Sequence, residues 1–187
     1  MLKIDLDKIL ITNICAKINF ECKLNLKIIR SEDGIFNNFN YDPSVFSALR
    51  FGYKNSKIKI LLFSNGRTNI IGAKTIGQID ECVKNLMFLL KNYDPVQNHF
   101  EIYNICTSIN LSCKIDLVKL AKFHKKYASY EPELFAGIVF DNGKKLKFMI
   151  HRTGIIFATG FKSMKEIHIE YYKLFEKINM SNCLKFE

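Results

Sequence analysis

A fourteen-residue stretch occurs twice in this chain, and that duplication constrains the fold more than any bulk property. Residues 13–26 read NICAKINFECKLNL and residues 104–117 read NICTSINLSCKIDL, with eight of fourteen aligned positions identical at an offset of 91. Residues 41–46 (YDPSVF) answer 130–135 (YEPELF) at an offset of 89, and Gly66, Gly72 and Lys74 answer Gly154, Gly160 and Lys162 at 88. Solenoid repeats span only ~20–50 residues. This longer spacing indicates one folding unit duplicated and fused, with repeats over 11–93 and 102–180 and a joint around Pro95. Near two-fold symmetry of this kind suits a partner that is itself two-fold symmetric, such as a nucleic-acid duplex.

Charge points the same way. The chain carries 28 Lys and Arg against 18 Asp and Glu, and residues 1–96 and 97–187 each hold 14 basic and 9 acidic side chains. The basicity therefore belongs to both repeats. It favours phosphate-rich partners or anionic membranes over a neutral one; a basic chain with no such partner is the other reading. The N-terminus has no apolar block with a cleavage site, and no run approaches the ~18 apolar residues of a membrane span, so no membrane partner is expected. The six cysteines contain no Cys-x-x-Cys pair, which argues against a metal knuckle or a disulfide framework and for buried or half-buried thiols. No metal, cofactor or catalytic residue is expected.

Period-two alternation identifies the strands. In the first strand Ile14, Ala16, Ile18 and Phe20 oppose Asn13, Cys15, Lys17 and Asn19, and its twin sets Ile105, Ile109 and Leu111 against Asn104, Cys106, Ser108 and Asn110. A short helix should follow in each repeat, N-capped by Asn25 and Asp116, whose side chains can accept first-turn amides. A turn-rich stretch then leads to 41–46, and strands follow over about 47–53, 57–64 and 68–74. Thr75-x-x-Gln78 and Ser163-x-x-Glu166 fit the capping box at the start of a longer helix. Ile79, Val83, Leu86 and Leu90 form its apolar stripe, and Ile167, Tyr171, Leu174 and Ile178 the twin. Each repeat is thus an α+β unit of about five strands and two helices, enough to cover only one face of the sheet. The other face should carry Leu61 and Phe63 beside Lys59, and Met149 and His151 beside Lys147, an apolar surface large enough to mark a binding site.

SYEPELFAG at 129–137, the paired Asn-Ile-Cys openings and Gly-Ala-Lys at 72–74, in order and twice, resemble the core of the TATA-binding protein family over about 13–177. The resemblance implies a saddle: a curved antiparallel sheet of two pseudo-symmetric repeats with four helices on the convex face and the concave face on the DNA minor groove. It implies a non-enzymatic, nuclear (or, if virally encoded, viral-factory or virion) initiation factor that binds and bends A·T-rich promoter DNA. Its implied partners are a transcription factor IIB-like protein, a factor IIA-like protein and associated factors. The central base contacts fall to Asn13 and Asn104, with Cys15 and Cys106 where valine is usual. The first lobe keeps wedges Phe46 and Phe63 with Leu61 beside them, and the second keeps Phe135 with Met149 matching Leu61. Lys74, Lys162 and Arg67 take rim positions, and Thr159 is kept. Glu131, Glu133 and Leu134 match the factor IIB-binding stirrup.

Departures accompany these matches. His151 stands where the second lobe has an aromatic wedge; it can stack, meet a phosphate when protonated, or sit at a sheet edge. Asn69 and Ile71 replace a valine and a threonine, and Phe157 replaces a valine. Gly52 and Asp141 occupy the places of phosphate-binding arginines, Arg50 lying close to the former. The hairpin before Leu146 is one residue shorter than its twin. The first long helix has few basic residues on its polar face. Bland readings stand beside these roles: Phe63 as a core residue, Asn13 as a turn or cap, Glu131 and Glu133 as solvated charges, the two cysteines as redox sensors. A scaffold without TATA preference is the alternative function.

Overall fold

The computed structural model describes residues 5–30, 34–96, 98–141 and 145–185. In chain order the elements are β1 (Leu10–Asn19), β2 (Phe36–Asn40), β3 (Leu49–Tyr53), β4 (Lys59–Leu62), β5 (Arg67–Ala73) and α1 (Ile76–Leu89), then β6 (Glu101–Asn110), β7 (Lys114–Ile115), α2 (Leu117–Phe123), β8 (Ala128–Ser129), β9 (Ile138–Asp141), β10 (Lys147–Ile150), β11 (Ile155–Phe161), α3 (Met164–Met180) and β12 (Leu184–Lys185). The chain divides into two compact units, one over Asn13–Tyr103 and one comprising Met1–Thr12 and Asn104–Glu187.

In the first of these the strands run in the order β2-β3-β4-β5-β1, and in the second β6-β11-β10-β9-β8, each neighbour antiparallel. Alternation decides which face is buried. Ile14, Ala16 and Ile18 of β1, Ile60 and Leu62 of β4 and Ile70 of β5 are at most 4% exposed. Ile79, Cys82, Val83 and Leu86 form the buried stripe of α1. Burying each such side chain contributes roughly 1.5–3 kcal/mol. In the other unit Ile105, Phe148, Ile150, Ile156 and Phe161 are buried with Ile167, Tyr171, Leu174 and Phe175 of α3. Tyr171 is fully buried, its hydroxyl sharing a 2.9 Å hydrogen bond with Thr107. Desolvation pushes that phenol up to about 12.

The hairpin ahead of β5 is built around Gly66. Its N–H donates to the carbonyl of Phe63 at 3.0 Å, Phe63 N–H donates to Arg67 at 2.9 Å, and Gly66 takes φ +81°. A twin turn joins β10 to β11, with Gly154 at φ +84° and the same pair of bonds between His151, Gly154 and Ile155. Phe63 and His151 therefore occupy matched corners.

Three expectations change. Among the described residues there are three α-helices, not four: the segment capped by Asn25 makes a single turn. Asn25 Oδ1 accepts from Lys27 N–H, two residues on, and the adjacent β-branched Ile28 and Ile29 disfavour helix. At the twin position Asp116 accepts from Lys119 N–H at 3.0 Å and pairs with Lys185, and α2 forms. The capping box is reciprocal at Thr75 and Gln78 but one-sided at Ser163, because Glu166 reaches the amide of Lys162 instead. The stretch before 41–46 contains a strand, β2, bulged between Asn37 and Asn40 with Asn38 at φ +56°. The shortened hairpin before Leu146 falls on 142–144, outside the described residues. All six cysteines are free, Cys106 alone being half-buried and the rest buried; burial pushes the Cys82 thiol up to about 12.

Candidate nucleic-acid interface

The outward row of the Asn13–Tyr103 unit is set by register. Lys17 of β1 faces Asn69 of β5, which faces Leu61 of β4, which faces Arg50 of β3. One step along, Cys15 faces Ile71, which faces Lys59, which faces Gly52. Leu61, Phe63, Asn69 and Ile71 are half-buried, and Lys59, Arg67, Lys74 and Arg50 are exposed. Leu61 and Phe63 thus lie on the side opposite the α1 core, so the core reading of Phe63 does not hold. Cys15, only 6% exposed and with Tyr103 beside it, is more enclosed than a groove-facing residue would be.

The twin row in the other unit runs Ser108, Phe157, Met149, Val139, and the next runs Cys106, Thr159, Lys147, Asp141. Met149, His151, Thr159 and Cys106 are half-buried, Phe157 is 42% exposed, and Lys162 is exposed. Lys147 lies 3.9 Å from Asp141, whereas the matching Lys59 stands beside Gly52, which has no carboxylate to offer.

Neither Asn13 nor Asn104 serves as a turn or helix cap. Asn13 Oδ1 accepts the N–H of Gly72 at 2.8 Å, and Asn104 Oδ1 accepts that of Gly160 at 2.8 Å. An N–H can only meet the oxygen end of the amide, so the Nδ2 end is directed away from the glycine. It donates to Cys15 Sγ at 3.3 Å in one repeat and to Cys106 Sγ at 3.4 Å in the other. Asn104 has a second restraint, because the Thr159 hydroxyl donates to its Oδ1 at 3.2 Å; Ile71, at the matching place beside Asn13, has no hydroxyl to give. The two glycines make this possible. Gly72 has φ +103° and Gly160 φ +110°, and a Cβ on Gly72 would fall 2.5 Å from the Lys57 carbonyl oxygen, with Lys145 blocking the twin. The repeated glycines were visible in the sequence; their role in aiming the asparagines was not.

At the stirrup corners Phe46 and Phe135 are each 37% exposed. Phe46 meets Phe63 edge-on at 6.2 Å with Arg50 over its ring, and Phe135 meets His151 at 5.5 Å. His151 also meets Phe157 at 5.8 Å. It follows β10, an interior strand between β9 and β11, and so is not at a sheet edge. Glu131 and Glu133 are exposed, and Leu134, 82% exposed, heads a turn in which the amides of Leu134 and Phe135 both donate to the Glu131 carbonyl at 2.9 Å.

One antiparallel sheet-and-helix unit built twice, each copy keeping an outward strand face, defines a duplicated α+β binding module. The family model described as transcription factor TFIID (or TATA-binding protein, TBP) matches residues 8–93 and 99–180, and the chain belongs to that family. It is 30% identical to the TATA-box-binding protein of Sulfolobus acidocaldarius, over 94% of this chain and 89% of that one. It is 28% identical to TATA-box-binding protein-like 1 of Entamoeba histolytica, over 92% and 80%. The solved structure of Methanococcus jannaschii TBP superposes with a TM-score of 0.82 at 25% identity, over 92% of this chain and 99% of that one. Membership places the chain among DNA-binding factors of transcription initiation, a family without enzymatic members.

Proposed function

We propose that this chain binds promoter DNA in the minor groove of a TATA-like element, bends it, and recruits a transcription factor IIB-like protein and with it RNA polymerase. The observation that carries the reading is the pair of glycine-clamped asparagines, each with its donor end directed away from the clamping glycine on the strand face that carries Leu61, Ile71 and Met149. In the minor groove A·T and T·A both offer only acceptors, and guanine adds a donor. Fixed amide donors at Asn13 and Asn104 match the acceptors. Apolar side chains such as Leu61, Ile71 and Met149 tolerate A·T edges and leave a guanine donor unsatisfied.

Phe46 with Phe63, and Phe135 with His151, would wedge between base steps, unstacking costing on the order of a few kcal/mol per step. Arg67, Lys74 and Lys162 would neutralise phosphates. Cys106, Phe157 and Thr159 complete the groove-facing set. In the stirrup the exposed Leu134 knob flanked by Glu131 and Glu133 suits an apolar, basic-rimmed groove on the factor IIB-like partner. A factor IIA-like protein and TATA-binding-protein-associated factors are further partners, and the nucleus, or a viral factory if virally encoded, is the site of action.

The alternative, a scaffold acting through protein contacts without TATA preference, is favoured by the polar Asn69 in the first strand row. Titrating a TATA-type duplex against a scrambled one at matched salt, with end-labelled DNA reporting bending by fluorescence transfer, separates the two. The initiation-factor reading expects tighter binding and a bend on the TATA duplex only. Equal affinity without bending would select the scaffold.

A further inference from the structure

We propose that Asn69 is a specificity determinant that accepts the exocyclic amino group of guanine, so that the half-site under the first repeat admits a G·C pair while the half-site under the second rejects it. The inference rests on the minor-groove reading above and deepens it.

Asn69 and Phe157 are structural twins. Asn69 sits on β5 and Phe157 on β11, each in register with an apolar residue of the preceding strand (Leu61 of β4 or Met149 of β10) and with a residue of the repeat's first strand (Lys17 of β1 or Ser108 of β6). The backbone offers the two side chains to the same part of the partner surface, but their chemistries are opposed. Phe157 is exposed over 42% of its surface, and its ring is backed edge-on by His151. A phenyl group there has no acceptor for a guanine amino group and fills the space that group would need. Asn69 is half-buried and smaller, and it carries a carbonyl oxygen. Unlike Asn13, it is not turned by a glycine amide. The Asn13 oxygen is engaged by Gly72, whereas the Asn69 side chain makes no hydrogen bond with any described residue. An asparagine amide that can turn accepts from guanine N2–H or donates to the acceptors of adenine and thymine, so it accommodates both pairs.

The surroundings also differ in charge. Asn69 lies in a row with Lys17 and Arg50, and Phe157 in a row with Ser108 and Val139. Of the first pair, Lys17 is matched by Glu101 at 3.0 Å, so in that row Arg50 is the charge that draws the groove edge close on the first repeat. Apolar neighbours on the second raise the penalty for an unsatisfied donor. A nearly symmetric protein would thereby read an asymmetric element, and the G·C-tolerant half would set the direction in which the complex faces along the DNA.

The test is a base-pair scan of a TATA-type duplex. Each A·T pair is replaced in turn by G·C and by inosine·C, which lacks only the amino group, and affinities are measured for wild type, Asn69→Val and Phe157→Asn. For wild type, G·C in one half should change affinity by less than about threefold, and in the other half should lower it by on the order of tenfold or more. Inosine should rescue binding only in the intolerant half. Asn69→Val should make both halves intolerant, and Phe157→Asn should make both tolerant. Equal intolerance of both halves in wild type, or tolerance that survives in Asn69→Val, overturns the assignment while leaving the minor-groove reading in place. Absence of any preference for A·T over G·C at every position, together with no bending, overturns that reading itself and the assignment with it.

Discussion

The first repeat sets Asn69 between Lys17 and Leu61 where the second sets Phe157 between Ser108 and Met149, and in the second the Thr159 hydroxyl donates to the Asn104 oxygen, a bond that Ile71 cannot make to Asn13. At the corners the first has a phenylalanine pair with a guanidinium over one ring, and the second a phenylalanine, a histidine and a further phenylalanine. Backbone geometry is shared down to the glycine turns. The difference shows which features a duplicated sheet must keep and which it can vary. Positions whose backbone requires glycine are held in both copies, and those against the helices stay buried while exchanging size, as Ala73 for Phe161 and Ile60 for Phe148. The outward rows are free to diverge because no internal packing constrains them, and they are where the two half-sites become distinguishable.

The largest expected effect tests whether the corners are wedges. Phe63→Ala should weaken binding to an A·T-rich duplex by on the order of 100-fold and reduce the bend seen by fluorescence transfer. Unchanged bending would show that Phe63 does not enter the base stack. A smaller effect addresses the asparagine clamps. Thr159→Val removes the hydroxyl that donates to Asn104 and should lower affinity by about fivefold, whereas Ile71→Thr places the equivalent hydroxyl beside Asn13 and should raise it by about threefold. Two null results in the titration would break the claimed inequality of the clamps.

His151→Phe should tighten binding by about threefold if a phenyl ring stacks better than an imidazole in the corner beside Phe135; a loss in the same titration would assign the histidine a polar contact. The smallest effect is in salt dependence. Arg67→Ala should lower the slope of log affinity against log salt by about 0.9 for the one phosphate contact removed. Lys147→Ala should lower it less, because Asp141 already sits beside that ammonium. Equal slopes for the two variants would place Lys147 on a phosphate despite its partner.

The sequence made much of this legible, and the reasons it failed elsewhere are physical. Alternation in β1, β4 and β10 separated Ile60 and Leu62 from Leu61 and Phe63 because a half-buried strand must alternate. The α1 and α3 stripes were equally plain. β2 was not, because Phe36-Asn-Asn-Phe-Asn carries a bulge with Asn38 in the left-handed region, which breaks the period of two and reads as a turn. The missing first-repeat helix was a wrong inference from symmetry: Asn25 matches Asp116 in sequence, but Asn25 closes a local turn while Asp116 gains a salt bridge from β12. In the site, Asn13 and Asn104 stood out because they recur. That Gly72 and Gly160 aim them, and that Tyr103 encloses Cys15, depended on contacts 59, 56 and 88 residues apart along the chain, which no local pattern reveals.

The account turns on a strand face that reads minor-groove edges, and one substitution in the DNA addresses it. Replacing every A·T pair of the bound element by inosine·C leaves the minor-groove pattern of acceptors intact and changes the major groove to that of G·C. Affinity within about threefold of the parent duplex, with the bend retained, is the expected result. A fall to the affinity of scrambled DNA would contradict it.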